Sequence, residues 1–232
     1  MDLSNLWDWS IVREAFPVMI KAFLEVTLLV TVVASVIAAV LGLIWAIGLR
    51  ELPGPLGKLL TFILSLLRNT PIPLQLLIAE YGIVQPTGWL SHTSGLDQLQ
   101  HRLIIIGIVV FALQYSTYMA ESYRGGIESI RAGQWEAATA LSLPRGRVWR
   151  AVIIPQAIRV AIPSMGNWAI AMFKDTPYLI AISVPEMVFQ AKQIGGNHFH
   201  YTEVYTLAGL IFLAASYPTA ILMRTLEKKL VY

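Results

Sequence analysis

No cysteine occurs in the 232 residues, so the chain can form neither a disulfide nor a thiolate metal site, and its redox compartment leaves no trace. Charge is scarce as well, at 13% of residues against 56% hydrophobic ones. So few charges cannot clothe one water-soluble core of this size without large exposed apolar patches, and lipid is the solvent that fits. The pattern Gly, four residues, Gly-Lys-Ser/Thr is missing, so the chain is not its own ATPase. A His-Glu-x-x-His pair and a nucleophile–base pattern are also missing, which argues against a membrane-embedded enzyme. The four histidines, His92, His101, His198 and His200, are read as surface residues and not as metal ligands. No internal repeat is seen, and Glu80 and Asp175 are the only central carboxylates, thin support for an ion-coupled secondary transporter. The net charge of +3 is better explained by membrane topology than by nucleic-acid binding. A cleavable signal is not expected, because Asp2, Asp8 and Glu14 stand where a basic region belongs.

What is present is a set of apolar segments, read as one membrane domain over residues 1–232. Residues 26–49 carry no charge and are long enough to cross a hydrocarbon core of roughly 30 Å. Trp7 and Trp9 precede them as interfacial aromatics, and Arg50, Pro53, Gly54, Pro55 and Lys58 follow. A second segment, 59–84, is interrupted by Arg68-Asn69-Thr70-Pro71-Ile72-Pro73; proline breaks helical bonding, so a break at this depth must be satisfied by protein or line a cavity. Arg68 either snorkels to the interface or sits at a helix–helix contact. Residues 85–102 read as an external loop, 103–120 as a third span, 160–173 as a fourth and 204–223 as a fifth, with 178–184 a brief apolar resumption after Lys174-Asp175-Thr176-Pro177.

Lys and Arg gather after the first span (Arg50, Lys58), between the third and fourth (Arg124, Arg131, Arg145, Arg147, Arg150, Arg159) and in the tail (Arg224, Lys228, Lys229). That asymmetry places the N-terminus outside and the C-terminus in the cytoplasm, in an all-α protein of about five spans. It also makes the polar island at about 125–155 cytoplasmic. Within it, residues 130–141 are helix formers, with Ile130, Ala137, Ala138 and Leu141 on one side. So short a helix must pack on something. Trp135 offers an anchor and Glu136 a charge for a partner; the other reading is an amphipathic helix on the headgroups.

Glu136-Ala137-Ala138, then Ser142, then Val152-x-Ile154-Pro155 resembles the EAA loop of bacterial ABC importer permeases: Glu-Ala-Ala, three residues, Gly, nine residues, an aliphatic, one residue, an aliphatic and Pro. Arg68-Asn69-Thr70-Pro71, the run from Tyr118 to Ile127, Gly133-Gln134-Trp135 ahead of the Glu-Ala-Ala, Ile154-Pro155-Gln156 and Lys174-Asp175-Thr176 are similar to segments of the polar amino acid uptake group, so the resemblance covers nearly the whole chain. Within that group the chain is most similar to ectoine/hydroxyectoine permeases, through Trp7-Asp8-Trp9, 169–174 and Gln190-Ala191-Lys192. Two departures stand out: Ser142 where the family has glycine, and Asn69 in place of the glycine of Arg-Gly-Thr-Pro.

The resemblance implies an inner-membrane, multi-pass subunit that pairs with a second permease, copy or paralogue. It docks two ATPase subunits through the EAA helix and receives solute from an external binding protein. No cofactor is expected in this chain; ATP and Mg belong to the ATPase. The coupling residues it marks are Gly133, Gln134, Trp135, Glu136, Ala137, Ala138, Ser142 and Pro155. Candidates for the substrate path are the polar residues at membrane depth: Gln75, Glu80, Tyr81, Gln114, Tyr115, Tyr118, Asn167, Trp168, Lys174, Asp175 and Thr176. Lys174 and Asp175 could instead simply pair with each other.

Overall fold

The computed structural model describes residues 7–88 and 96–230; every described element is helical and no strand occurs among them. Helix α1 (Trp9–Ala22) begins at Asp8, whose carboxylate accepts from Ser10 N at 2.7 Å and caps the first turn. It passes through a π turn, Phe23–Thr27, into α2 (Leu28–Glu51). The expected span 26–49 is thus the second part of one 43-residue helix. At 1.5 Å per residue that helix is about 65 Å long, twice a hydrocarbon core. Hydropathy marks only the stretch that lipid needs, and α1, with Arg13, Glu14 and Lys21 on its outer face, falls below it.

Helices α3 (Gly54–Asn69) and α4 (Ile72–Leu77, continued by the π turn Ile78–Val84 and Gln85–Thr87) form the expected broken segment, and its arms meet at 103°. The long helix α5 (Leu96–Glu128) starts seven residues earlier than the third expected span, so the external loop is shorter than 85–102. His92 lies outside the described residues. Next come α6 (Ala132–Ala140), a turn at Arg145–Arg147, the π turn Val148–Ile153, α7 (Ile154–Asp175), a 3-10 segment Thr176–Ile182, α8 (Met187–His198) and α9 (Tyr201–Leu230).

Among the described residues three helices are long and apolar enough to cross a membrane, Trp9–Glu51, Leu99–Glu128 and Tyr201–Lys229, or four with the bent pair counted as one. The fourth expected span falls in α7, a full 22 residues but interrupted by Gln156, Arg159, Ser164 and Asn167 and absent from that set. It packs on α5, α9 and α2, so much of its surface meets protein and not lipid.

Small residues bring the helices together. Ala34, Ala38, Gly42 and Ala46 recur every fourth residue on the buried side of α2, and a Cβ added to Gly42 would lie 2.9 Å from Met119 Cβ of α5. Trp45 Nε1 donates to Ser116 Oγ at 3.0 Å across the same seam. Around it lies the central core, including Phe111, Tyr115, Met172 and Leu179. A second core joins α1 to α8 and α9 through Met19, Met187 and Val204. At that end His198 faces Glu14 at 3.3 Å, and Glu203 accepts from Asp8 N at 3.0 Å with His200 Nδ1 2.9 Å away. Each of these histidines has its own carboxylate, and no metal-holding group exists among the described residues.

The N-cap of α8 is Glu186, fully buried outside the candidate spans; Oε1 accepts from Phe189 N at 2.6 Å and Oε2 has no partner. Burial pushes its carboxyl up to about 7, against the lowering pull of the Val188 and Phe189 amides. The folded protein holds this proton more tightly than the unfolded chain, so the group's contribution to stability is complete below the ordinary value of 4.5 and is lost as pH rises through about 7. Thermal unfolding in detergent is expected to lose roughly 3 kcal/mol across that window. Glu186→Gln should flatten the profile, and a substitution that leaves it unchanged refutes the assignment.

Candidate coupling site and translocation cleft

The island folds as expected into a short helix, α6, over 132–140 within the predicted 130–141. Which side faces the bundle differs from the periodicity reading. Ala138 is buried and Ile130 partly so, but Ala137 is exposed and Leu141 is 72% exposed. The large side chain turned inward is Trp135, edge-on to Trp149 with centroids 5.7 Å apart and with the Arg50 guanidinium carbon 4.5 Å from its ring centre. Trp135 therefore anchors the helix to its own chain and is not a free anchor for a partner. The outward face carries Gly133, Glu136, Ala137 and Leu141, all exposed, and no ion pair engages Glu136 among the described residues.

Gln134, also exposed, lies 3.4 Å from Gln156 Nε2. Pro155 stands directly after the π turn Val148–Ile153, where that turn runs on into α7. Ser142 closes α6 with φ +50°, its amide donating to Thr139 O at 2.9 Å, while Leu143 N reaches back to Ala138 O at 3.1 Å. The backbone at Ser142 is left-handed, and serine holds it at a cost of about 1 kcal/mol. Ser142→Val is expected to cost about 2 kcal/mol more, since a β-branched residue is an outlier there, while Ser142→Gly relieves the cost and melts at or above the native temperature; thermal melting of the two variants checks the order.

The second site is built on the break between α3 and α4. Thr70 and Pro71 are extended, which leaves the last carbonyls of α3 without helical partners. Gln75 supplies the donor: its Nε2 lies 2.8 Å from both Leu67 O and Thr70 O and 2.7 Å from Gln114 Oε1, so the two amide hydrogens serve three acceptors. Gln114 in turn faces the Tyr118 hydroxyl at 3.4 Å, and Tyr118 stacks on Trp168 at 4.6 Å. Arg68 does not snorkel. It donates to Thr117 O at 2.7 Å, meets Glu121 at 3.3 Å and lies over the Tyr118 ring at 5.5 Å, so it makes a helix–helix contact. Arg68, residues 69–73, Gln114, Tyr118 and Tyr178 line an open cleft of about 460 Å³. Tyr178 carried no signal in the sequence beyond an aromatic in an apolar stretch.

Several path candidates fall elsewhere. Glu80 is buried against Arg102 at 2.6 Å with Gln85 at 3.1 Å, an ion pair that desolvation forces together and that stands apart from the cleft. Tyr81 is 53% exposed on the outside of α4, and Asn167 is exposed on α7. Lys174 and Asp175 do not pair: Asp175 accepts from the Tyr115 hydroxyl at 2.7 Å, and Lys174 is exposed without an ion pair among the described residues. Adjacent positions on a helix point about 100° apart, which is why these two diverge. Thr176 is buried and donates to Phe173 O at 2.8 Å, ending α7.

The model of the binding-protein-dependent transport system inner membrane component family matches residues 38–232. The chain belongs to that family. As one of these inner membrane components it is a transport subunit and not an enzyme. It is 34% identical over 199 residues to the probable amino-acid ABC transporter permease protein y4tG of Sinorhizobium fredii, covering 82% of this chain and 78% of the relative. It is 30% identical over 224 residues to the probable amino-acid ABC transporter permease protein YckA of Bacillus subtilis, covering 97% and 94%. Among solved structures, a crystal structure of an amino acid ABC transporter with histidines superposes with a TM-score of 0.81 at 27% identity over 97% of this chain and 99% of that one. The inner membrane component described above therefore shares its whole fold, including the region of the broken segment and the island, with that transporter.

Proposed function

We propose that this chain is the permease subunit of an ATP-driven amino-acid importer, working with a binding protein outside and two ATPase subunits inside, and that α6 is where the ATPase docks. The observation that carries the coupling role is the division of α6 into two faces. Trp135 and Ala138 are committed inward, while Glu136, Ala137 and Gly133 are left outward with an unpaired charge. A chain with no phosphate-binding loop of its own needs such a face. The N-terminus lies outside and the C-terminus inside, consistent with α6, the end of α2 and Arg145 sharing one end of the bundle. ATPase closure drags α6, and the spans attached to it switch the cleft between inward and outward access.

Solute passes by the cleft at the α3–α4 break. Arg68 offers a cation for a carboxylate, and the half-exposed Tyr178 ring suits an ammonium or amidinium, the Tyr118 ring being already held between Trp168 and Arg68. That pairing fits a compact zwitterion: an amino acid, as the relatives' names indicate, or ectoine and hydroxyectoine, as the resemblance at Trp7-Asp8-Trp9 indicates. A second permease, copy or paralogue, covers the exposed apolar helix faces that lipid does not.

The test is reconstitution in liposomes with the ATPase and binding protein of the same operon. ATP-dependent uptake of labelled amino acids or ectoine, with copurification of the ATPase, is the expected result. Uptake driven by an ion gradient without the ATPase would establish the secondary-transporter reading instead.

A further inference from the structure

The coupling helix is joined to α5 by residues 129–131, its backbone packs on the π turn Val148–Ile153, and its Trp135 ring meets Arg50 of α2. An open cleft of about 660 Å³ lies between the end of α2 and α6, lined by Arg50, Glu51, Trp135, Ser142, Arg145 and Trp149. Across it, Arg50 from the last turn of α2 reaches over the Trp135 ring at 4.5 Å. The next residue, Glu51, faces Arg145 behind α6 at 3.8 Å, a looser contact because Arg145 is 93% exposed. The Arg50–Trp135 contact is the firmer grip. The ring is also seated at a near right angle against Trp149, which is 9% exposed.

At its other side α2 has no freedom to slip. The Gly42 contact with Met119 and Ala120 of α5 leaves no room for even one added carbon, so α2 and α5 move as a pair. Helix α5 carries Gln114 and Tyr118 into the translocation cleft. A pull on α6 reaches α5 directly through residues 129–131, and the Trp135–Arg50 contact carries the same movement into α2, which is packed on α5. A guanidinium on a ring face suits this task, because it keeps its attraction while sliding by an ångström or two, where a single hydrogen bond would break.

We propose that Arg50 is the positioning residue that passes the movement of the coupling helix to α2, with the Trp135 ring as its seat. The proposal rests on the reading of α6 as the ATPase dock. It is tested in the complete transporter in liposomes, by measuring solute imported per ATP hydrolysed. Arg50→Gln is expected to lower that ratio about tenfold while the ATPase still copurifies, and Arg50→Lys, which keeps a cation over the ring, to restore most of it. Trp135→Leu should give a similar loss, and the double variant should be no worse than the poorer single one.

A wild-type ratio in Arg50→Gln, or losses that multiply in the double variant, overturns the proposal. Should Arg50→Gln fail to assemble, spin labels decide in the otherwise native chain, whose lack of cysteine leaves the added sites alone reactive. With Leu52→Cys and Ala140→Cys labelled, the distance between α2 and α6 should stay constant between nucleotide-free and ATP-bound states. A change of about 5 Å, one helical turn, shows that the two do not move together and overturns the proposal. A wild-type chain that neither holds the ATPase nor imports with ATP would refute the docking reading itself, a result distinct from either of these.

Discussion

Glu136→Lys is expected to abolish ATP-driven import, lowering uptake at least a hundredfold, and to strip the ATPase from the purified complex. The carboxylate is exposed on the outward face of α6, flanked by the small Gly133 and Ala137 that permit close approach, and none of the ion pairs of the described residues uses it. Removing one member of a buried interfacial charge pair costs about 2–5 kcal/mol, and reversing its sign costs more. Glu136→Gln, which keeps shape and hydrogen bonding, should lose only about tenfold. Uptake and ATPase copurification read both variants. Import at the native rate by the Glu136→Lys variant would remove α6 from the coupling mechanism.

The largest stability effect is expected at Gly126. A Cβ added there would stand 2.5 Å from Ala157 O and 3.2 Å from Ala157 C, atoms of the α7 backbone that no rotamer change can move. Gly126→Leu must therefore push α5 from α7, and overpacking of this kind costs about 3 kcal/mol or more. Its neighbour is the control: nothing lies within 4 Å of a Cβ at Gly125, so Gly125→Ala should stabilise α5 by about 1 kcal/mol. Melting curves in detergent that fail to separate the two variants would mean that the α5–α7 contact is not this close.

The two glycines are adjacent, and nothing in the sequence tells them apart; their difference lies in which one meets α7. The same limit ran through the site. Periodicity put Ile130, Ala137, Ala138 and Leu141 on one side of α6, but a nine-residue helix has no core of its own to select a face. The sockets that select it, Trp149 and the Arg50 guanidinium, come from other elements, and so Trp135 turned inward. Polar residues at depth were found by composition, yet depth alone could not say that Gln75, Gln114, Tyr118 and Trp168 belong together while Glu80 pairs with Arg102. Gln75 and Gln114 are 39 residues apart and Tyr115 and Asp175 are 60 apart, separations over which hydropathy carries no record of which way each side chain points.

The sequence by itself determined the solvent, the place of the break at Thr70-Pro71, the presence of a helix in the island and the family, because each of these depends on composition, on proline chemistry or on a motif of fixed spacing. The motif marked Ser142 only as a departure from glycine, and its left-handed backbone is seen in the structure. Only the tertiary structure decided the 103° bend, the single long helix through the π turn at Phe23–Thr27, the gathering of Arg68, Gln114 and Tyr178 at one cleft, and the inward commitment of Trp135. These depend on where neighbouring helices stand, and close packing at Gly42 and Gly126 places the helices to within the width of a single carbon atom.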